Sequence, residues 1–333
     1  MSEALEVLYL DRDDVGRIGI EDSEIVEAVE QAFAAQGRGE YVQNPRANLR
    51  HDPTGQGHFN ILAGYLAPLD LAGFKVVGDF VPNYRLGLAS ELGFILLMRP
   101  ESGVPVAIVD ASHITDMRTG AVSATGARHL APPAPRVLAN IGARGSSYWN
   151  VRLIAALFAF EEIRIHSRRA ESREALAARL AGETEARVVV CATWEEAIRD
   201  ADVVVEATRL VRPEPLFKSE WVKPGSLVIP YGTQSALEDR FLDVFDKVVI
   251  DTWSHAHAGP FGALRHHVDS GALTRETLHA EIGEIVNGDR PGRESDAETI
   301  LFWHRGQAIS DIALAAMLVA KARRDGVGRI LPY

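Results

Sequence analysis

Isolated cationic residues stand inside otherwise apolar segments in the first half of the sequence. Arg46 precedes ANL, Lys75 lies within GFKVV, and Arg118 lies within a pattern typical of a helix. On a β-strand Lys75 should point to the opposite side from Phe74 and Val76, and a charge that faces an interior needs an anionic partner. A small carboxylate substrate is one such partner. An internal salt bridge or a surface side chain is the more common alternative for a single Lys or Arg.

A glycine-rich turn near the middle of the chain predicts a nucleotide-binding unit. The apolar run Val137–Ile141 has strand length, and it is followed by Gly142, Gly145 and the candidate helix N-caps Ser146 and Ser147. An apolar helix pattern and a second short strand come next. This is the order of a βαβ unit, in which main-chain N–H groups at the helix start receive a pyrophosphate.

The fingerprint of this turn departs from the usual Gly-x-Gly-x-x-Gly/Ala pattern. Arg144 stands where the second glycine lets the backbone approach a phosphate, and Ser147 stands at the third position. Two interpretations stay open at this point. The turn either binds nothing, or it is a phosphate loop in which the Arg144 guanidinium contacts a phosphate.

The second strand of a dinucleotide-binding fold usually ends in an acidic residue that binds the adenosine ribose. Here the strand leads into His166, Ser167, Arg168 and Arg169, without an acid. Because hydroxyl and guanidinium groups suit a 2′-phosphate, the sequence favours NADP(H) over NAD(H). A solvated basic turn is the alternative, above all for Arg169.

Composition and charge restrict the class of protein. The chain has 333 residues, of which 47% are apolar and 24% charged, as in a soluble globular protein of roughly two domains. The net charge of −11 argues against a nucleic-acid surface. The sequence contains neither an apolar run of membrane-spanning length nor a signal-peptide pattern, so we expect a cytoplasmic location.

The cysteine and histidine content predicts no metal site. The single Cys191 excludes an intramolecular disulfide and a multi-cysteine zinc site. The densest histidine cluster shares no recognised ligand spacing with an acidic or cysteine partner, and it consists of His255, His257, His266 and His267.

The predicted elements fall into two kinds of fold. A strand at residues 5–10 and a helix that begins at Asp22 or Ser23 precede a mostly antiparallel sheet between residues 44 and 105, and a helix from Ser112 or Thr115 follows. The second half alternates strands and helices, as a parallel doubly wound sheet requires. Its strands are predicted at 187–190, 203–207, 227–230 and 247–251, and its helices near 171–181, 193–200 and 274–287. The final helix, 308–323, is apolar around much of its circumference and should be buried.

Several segments together resemble the ornithine cyclodeaminase/mu-crystallin family. The matching segments span most of the chain in the family's order, and they are NPRANLRHD, residues 74–131, ADVVVEAT, KVVID and AETILFWHRGQAISDIALA. The resemblance implies an α+β substrate-binding and dimerisation domain, residues 1–130 plus 308–333, with a Rossmann-type doubly wound α/β domain, residues 131–307, inserted into it. It also implies a homodimer.

The resemblance assigns roles by motif position. Arg46, Lys75 and Arg118 would bind a substrate carboxylate, and Lys75 and Arg118 would be catalytic, with Lys75 as acid or base if burial and nearby cations lower its pKa. Asn83 and Asp311 would complete the substrate site. The cofactor would be bound by Thr119, Gly142, Arg144, Gly145, Ser146, Ser167, Arg168, Arg169 and Thr208, the last of which would face the nicotinamide.

Differences from the family pattern determine which activity is expected. The aspartate that is catalytic in cyclodeaminases would align near Thr233 or Gln234, and His304-Arg305 replaces the common Lys-Ser or acidic pair. The leading hypothesis is therefore an NAD(P)H-dependent imine reductase or amino-acid dehydrogenase that acts on a small amino or imino acid. The alternatives are a cyclodeaminase acting on ornithine or lysine, and a non-catalytic ligand-binding or accessory protein with an altered phosphate loop.

Overall fold

The computed structural model describes residues 5–51, 57–210, 212–232, 236–256 and 264–333. The chain folds into two compact units, which we describe separately. Unit 1 comprises Met1–Arg118 with Gln307–Tyr333, and unit 2 comprises Thr119–Gly306. Thr233, Gln234 and His257 lie outside the described residues.

In its described part, unit 1 contains one mixed sheet and four helices, counting a helix that continues into unit 2. The strands are β1 (Glu6–Leu10), β2 (Tyr41–Gln43), β3 (Ala47–Leu49), β4 (Gly57–Leu66), β5 (Leu71–Phe80), β6 (Glu91–Met98), β7 (Pro105–Asp110) and β16 (Arg329–Pro332). The helices are α1 (Arg12–Arg17), α2 (Asp22–Gly37), α3 (Ala111–Leu130) and α10 (Ala308–Asp325), with 3₁₀ turns at Ala67–Leu69 and Val81–Leu86.

The sheet of unit 1 is built on the antiparallel strands β4, β5, β6 and β7. The strand order is β16-β1-β7-β6-β5-β4-β2, with β3 also paired to β4. In this order Lys75 on β5 pairs with Leu62 on β4 and Ile95 on β6. Among the described strand pairs of this sheet only β1 and β7 run parallel. The prediction of a mostly antiparallel sheet is therefore confirmed.

Helix α10 covers one face of this sheet. A Cβ on Gly73 would lie 2.3 Å from Ile312, so the glycine permits the close approach of helix and strand. Leu314 and Leu318 are fully buried, as the apolar pattern of the terminal helix predicts. Residues on the other face of β5 and β6 stay partly open, and Phe74, Val76 and Phe94 are 41%, 46% and 49% exposed.

The predicted domain boundary after residue 130 differs from the division after Arg118 because of how α3 packs. Beyond Arg118 the helix lies against elements of unit 2. A Cβ on Gly120 would lie 2.6 Å from the backbone of Trp149, and one on Gly126 would lie 2.1 Å from the ring of Phe302. The second part of α3 therefore shares its core with unit 2.

Unit 2 alternates strands with short helices. The strands are β8 (Val137–Ile141), β9 (Glu162–His166), β10 (Arg187–Val190), β11 (Val203–Glu206), β12 (Leu227–Pro230), β13 (Lys247–Ile250), β14 (Ala280–Glu281) and β15 (Ile300–Trp303). The helices are α4 (Ser147–Ala155), α5 (Ala170–Leu180), α6 (Trp194–Ile198), α7 (Trp253–Ala256), α8 (Arg265–Asp269) and α9 (Ile282–Val286), with 3₁₀ turns at Ser219–Trp221 and Phe241–Val244.

These strands of unit 2 form one sheet, and every pairing between them is parallel. The order is β10-β9-β8-β11-β12-β15-β13-β14, so the direction of winding reverses between β8 and β11. Phe217, Phe241 and Trp303 are fully buried in the core on one side of the sheet. A reversal of this kind leaves a crevice at the carboxyl ends of the two strands, where doubly wound folds bind their ligands.

Several element bounds differ from the sequence predictions. The helix predicted over 274–287 is confined to α9, because Glu281 and Glu284 form a capping box and Ala280–Glu281 pairs with β13. Helix α4, which the apolar pattern predicted to end near Phe160, ends at Ala155 because residues 156–160 leave the helix before β9 begins at Glu162. Strands β15 and β16 and helix α1 were not predicted.

In the part of the chain that the structure describes, no helix combines the length and the apolar character that a membrane span needs.

Candidate active site

Unit 1 contains a buried group of charged side chains around Asp311. Lys75 shares a face of β5 with Gly73 and Val77, and it is 3% exposed, so it points toward α10 and away from Phe74 and Val76. Its Nζ lies 2.9 Å from Asp311 Oδ1, in the first turn of α10. Arg118 Nε lies 3.0 Å from the same oxygen. Two buried cations thus share one carboxylate oxygen.

The other oxygen of Asp311 has no protein partner in the described part of the chain. Asp311 is 1% exposed, and its buried Oδ2 accepts no hydrogen bond there. A buried carboxylate oxygen without a donor is costly, because the hydration that it loses is not replaced. The environment of this oxygen is therefore complementary to a hydrogen-bond donor.

Burial and the neighbouring charges determine the ionisation of this group. Burial lowers the pKa of Lys75 to about 8, against the attraction of Asp311 and with the repulsion of Arg118. Burial alone would raise the pKa of Asp311, but Arg118 and Lys75 outweigh it and hold that pKa below its usual value. Arg46 acts on Asp311 in the same direction, and Glu91 acts on Lys75, so three cations, Lys75, Arg118 and Arg46, stand against the carboxylates of Asp311 and Glu91.

Asn83, which was predicted to bind substrate, supports the loop after β5 in this structure. Its side-chain N–H donates to the main-chain carbonyl of Ala89 at 2.9 Å. The main-chain carbonyl of Asn83 accepts from Leu88 N. The sequence analysis missed a nearby acid. Asp116 is half-buried, and burial together with Glu91 raises its pKa to about 7. In the sequence, only the position of Asp116 two residues before Arg118 indicated that this acid could belong to the site.

The phosphate loop of unit 2 follows β8 at the reversal of the strand order. Gly142 has a φ of +110°, and a Cβ there would lie 2.7 Å from the carbonyl oxygen of Ala207, so no other residue fits. Asn140 Nδ2 donates to the Gly142 carbonyl at 2.7 Å and fixes the turn. Within the described residues, the main-chain N–H groups of Arg144, Gly145 and Ser146 donate to no protein acceptor.

These features fit a dinucleotide phosphate in spite of Arg144. The open N–H groups stand directly before α4, where an anion is favoured by the helix dipole. The Arg144 carbonyl accepts from Ser147 N and Ser147 Oγ at 3.3 and 3.0 Å, and its side chain is exposed. Arg144 thus occupies the position of the second glycine of the motif while its side chain points to the surface.

A tyrosine that the sequence analysis missed holds the loop in place. Tyr231, after β12, bonds through its hydroxyl to Ser146 Oγ at 2.7 Å and accepts from Asn150 Nδ2 at 3.2 Å. Its ring stacks on the buried His304, with centroids 5.1 Å apart and planes 17° apart. His304 Nε2 in turn lies 2.9 Å from Ser123 Oγ on α3. No local motif marks this network, because its members come from distant parts of the chain.

The turn after β9 carries the basic residues predicted to bind a 2′-phosphate. Arg168 and Arg169 are exposed, and Ser167 Oγ donates to the carbonyl of Arg169 at 3.1 Å. Arg173, one turn into α5, donates from Nη1 to the Ser167 carbonyl at 3.0 Å. Arg173 therefore fixes the turn and leaves the other two guanidinium groups at the surface.

The strand on the other side of the reversal ends in a buried acid. Glu206 is 2% exposed, and its Oε1 accepts from both the main-chain N–H and the hydroxyl of Thr208. Burial raises the pKa of Glu206 to about 7, and the hydrogen bonds from Thr208 offset only part of this effect. Thr119, the remaining predicted cofactor residue, is buried on α3 next to Arg118.

The histidine cluster is divided among different contacts. His255 Nδ1 lies 3.2 Å from both carboxylate oxygens of Asp251, and the buried Asp251 also accepts from the main-chain N–H groups of Arg305 and Gly306. His266 Nε2 lies 3.7 Å from Asp239 on the surface. Asp251 therefore fixes the His304-Arg305 segment.

The all-parallel sheet and the glycine turn at its reversal define unit 2 as a dinucleotide-binding unit of the Rossmann type, as predicted. The sequence model of the ornithine cyclodeaminase/mu-crystallin family matches residues 8–326. The chain belongs to this family, which confirms the resemblance seen in the sequence.

Similar proteins act on amino acids and imino acids. The chain is 30% identical to N-((2S)-2-amino-2-carboxyethyl)-L-glutamate dehydrogenase of Staphylococcus aureus, with 98% of each chain covered. It superimposes on Δ1-pyrroline-2-carboxylate reductase of Thermococcus litoralis in complex with NADH and L-proline, with a TM-score of 0.91, 26% identity and coverage of 97% and 99%. An archaeal alanine dehydrogenase dimer with bound NAD gives a TM-score of 0.90 at 28% identity, with coverage of 99% and 100%.

Proposed function

We propose that this protein is an NAD(P)H-dependent oxidoreductase that acts on the C–N bond of a small amino or imino acid. The observation that carries the proposal is the buried centre of unit 1. There, Lys75 and Arg118 share one oxygen of Asp311, and the other oxygen has no donor among the described residues. An excess of positive charge beside a free acceptor is complementary to a molecule with a carboxylate and an N–H group. Amino acids have both, and an imino acid has both once its nitrogen is protonated.

Each charged residue has a distinct task in this proposal. Arg118 and Arg46 hold the substrate carboxylate, and once the imine nitrogen is protonated Asp311 Oδ2 accepts from its N–H and so orients the C=N bond. Lys75 gives a proton to the nitrogen during reduction and takes it back during oxidation. Its pKa of about 8 suits both directions near neutral pH. A nicotinamide cofactor bound by unit 2 supplies the hydride that the substrate carbon accepts.

The residues of unit 2 support the binding of that cofactor. The open N–H groups of Arg144, Gly145 and Ser146 suit the pyrophosphate, and Gly142 gives it room. Ser167, Arg168 and Arg169 favour NADP(H) over NAD(H), since they offer hydroxyl and guanidinium donors for a 2′-phosphate. Thr208 and Thr119 are the candidates for contacts with the nicotinamide half.

The relatives support the reaction class and the dimer. The names of the glutamate-derivative dehydrogenase and the pyrroline-2-carboxylate reductase describe chemistry at a C–N bond, and the archaeal alanine dehydrogenase is a dimer. For this chain we propose a homodimer joined through the open face of β5 and β6, where Phe74, Val76 and Phe94 are exposed. We place the enzyme in the cytoplasm, the compartment that suits a single unpaired cysteine.

Oxidation of NADPH with a panel of imino acids tests the proposal. The panel contains Δ1-pyrroline-2-carboxylate, Δ1-piperideine-2-carboxylate, and pyruvate or glyoxylate with ammonia or an amine. We expect turnover with at least one cyclic or acyclic imino acid and lower efficiency with NADH. Ammonia release from ornithine or lysine without net cofactor oxidation would indicate a cyclodeaminase. Cofactor binding without turnover of any compound would favour a non-catalytic role.

A further inference from the structure

We propose that Glu206, the last residue of β11, sets the relative affinity of unit 2 for the oxidised and the reduced nicotinamide cofactor. The ionised carboxylate attracts the positively charged nicotinamide ring of the oxidised form, and the neutral carboxyl suits the uncharged dihydronicotinamide ring. The inference rests on the proposed function, because it takes unit 2 as the cofactor-binding unit. It adds a residue that determines which redox form of the cofactor is bound.

Glu206 lies at the reversal of the strand order. It pairs with Ile141 of β8 on one side and with Pro230 of β12 on the other. Directly after it, the N–H of Ala207 donates to the Ile141 carbonyl at 2.7 Å. A Cβ on Gly142 would lie 2.7 Å from the Ala207 carbonyl oxygen, so the phosphate loop passes beside the end of β11. Doubly wound folds hold a dinucleotide at the carboxyl ends of two such strands.

The two oxygens of the Glu206 carboxyl have different surroundings. Oε1 accepts from the main-chain N–H of Thr208 at 2.7 Å and from the Thr208 hydroxyl. Oε2 accepts no hydrogen bond from a described residue, although Glu206 is only 2% exposed. Thr208 is the residue proposed to contact the nicotinamide half of the cofactor. Two hydrogen bonds therefore join the carboxyl to that contact, and Oε2 remains open to a ligand.

No other charge among the described residues acts on this carboxyl. Burial raises the pKa of Glu206 to about 7, and the hydrogen bonds from Thr208 offset only part of this effect. Its partners on β8 and β12 do not ionise. The charged residues of the phosphate loop, of the segment after β11 and of helix α6 are exposed and do not contribute to this pKa, and they are Arg144, Arg209, Glu195 and Glu196. A cation that arrives with a ligand therefore lowers the pKa of Glu206 and displaces its proton near neutral pH.

The expected pH dependence of binding follows from this displacement. Well below pH 7 Glu206 is neutral and does not favour the oxidised ring. As the pH rises through 7 the carboxylate forms, so the oxidised cofactor binds more tightly while the reduced cofactor does not. Binding of the oxidised form near pH 7 therefore releases a proton that binding of the reduced form does not release.

The ratio of the Kd values of oxidised and reduced cofactor tests the inference, measured with NADP(H) and with NAD(H). Both forms of one cofactor carry the same phosphates, so the titration of a phosphate cancels in this ratio. For wild type we expect the ratio to fall about five- to tenfold between pH 6 and pH 8.5, since one unit of pKa shift corresponds to a factor of ten. Glu206→Gln keeps an acceptor for Thr208 and has no charge, so its ratio should change by less than about twofold. Glu195→Gln, on the exposed side of α6, is the matched control and should keep the wild-type dependence.

Thr208 variants test the link between the two residues. Thr208→Val removes the hydroxyl that favours the charged carboxyl, so the midpoint of the pH dependence should move to higher pH. Thr208→Ser keeps the hydroxyl and should restore the midpoint. A midpoint that stays the same in Thr208→Val would contradict the assignment to Glu206. Circular dichroism melts establish that the variants are folded.

Calorimetry in two buffers of different ionisation enthalpy counts the released protons and needs no variant. At pH 7 we expect the wild-type protein to release more protons with the oxidised than with the reduced cofactor, and Glu206→Gln to abolish the difference. Equal proton release with both forms, or the same pH dependence in wild type and Glu206→Gln, overturns the inference and leaves the proposed function intact. A wild-type protein that binds no form of either cofactor contradicts the proposed function and the inference together.

Discussion

Each unit buries a carboxyl group, and burial and its neighbours shift the pKa values of the two groups in opposite directions. Asp311 of unit 1 has two cations on one oxygen, and its pKa stays below the usual value. Glu206 of unit 2 accepts hydrogen bonds from Thr208, and burial raises its pKa to about 7. The cations of unit 1 thus favour the charged form of Asp311, as the proposed binding of a charged substrate requires. Burial in unit 2 favours the neutral form of Glu206 next to the glycine turn.

The largest effect should come from the lysine that shares Asp311. Lys75→Met removes the proton donor while keeping the length of the side chain, so we expect the rate of imine reduction to fall by about 10²- to 10⁴-fold. The Kd of NADPH, measured by fluorescence titration, should stay within about twofold because the cofactor site lies in unit 2. Lys321→Met is the matched control, since Lys321 is also a mostly buried lysine of unit 1 and pairs with Glu24, away from Asp311. Wild-type rates in the Lys75 variant would exclude the proton donor proposed here.

The buried acid of unit 2 should affect stability and not the chemical step. Because the pKa of Glu206 in the folded state lies above its unfolded value, its stabilising contribution is complete below about pH 4.5 and is lost as the pH rises through 7. The free energy of unfolding should fall by roughly 3 kcal/mol over this range from this residue alone.

Glu206→Gln isolates this contribution, because glutamine keeps the acceptor for Thr208 and does not ionise. Urea unfolding at pH 5 and pH 8 should show the variant relatively more stable than wild type at pH 8. Glu195→Gln, on the exposed helix α6, provides the control. An equal difference at both pH values would mean that Glu206 does not titrate in this range.

The pH dependence of catalysis should follow Lys75. Its pKa of about 8 means that the proton donor is charged below that pH, so kcat/KM for imine reduction should be level there and fall about tenfold per pH unit above it. Oxidation of the amino acid needs neutral Lys75 and should rise up to about pH 8. Both directions are measured with a substrate whose own titration is known. A reduction rate that stays level to pH 10 would rule out Lys75 as the donor.

The smallest effect concerns the phosphate loop. Tyr231→Phe keeps the ring on His304 but loses the hydroxyl that contacts Ser146 and Asn150. We expect a loss of about 1 kcal/mol in stability and a rise of a few-fold in the Kd of NADPH and NADH alike. Calorimetric titration with both cofactors checks this. A change confined to NADPH would show that Tyr231 acts on cofactor choice and not on the loop.

A feature could be predicted from the sequence when the residues that produce it are close together along the chain. The family, the fold class and the direction of Lys75 follow from local patterns, since alternation on a strand needs only Phe74 and Val76 as neighbours. The ionisation of Glu206 and the role of Tyr231 depend on residues that meet only in the folded chain. For the same reason β15 was missed, because a short apolar run gives no sign that it will pair with β12 and β13.

The transfer of label from cofactor to substrate tests the central claim most directly. The protein is incubated with a cyclic imino acid and NADPH deuterated at C4, separately on each face, and the amino-acid product is analysed by mass spectrometry and NMR. The predicted result is one deuterium on the α-carbon with one of the two labelled cofactors, formed at least about 100-fold more slowly by the Lys75→Met variant. Product without deuterium from either cofactor, or ammonia release without NADPH oxidation, would contradict the account.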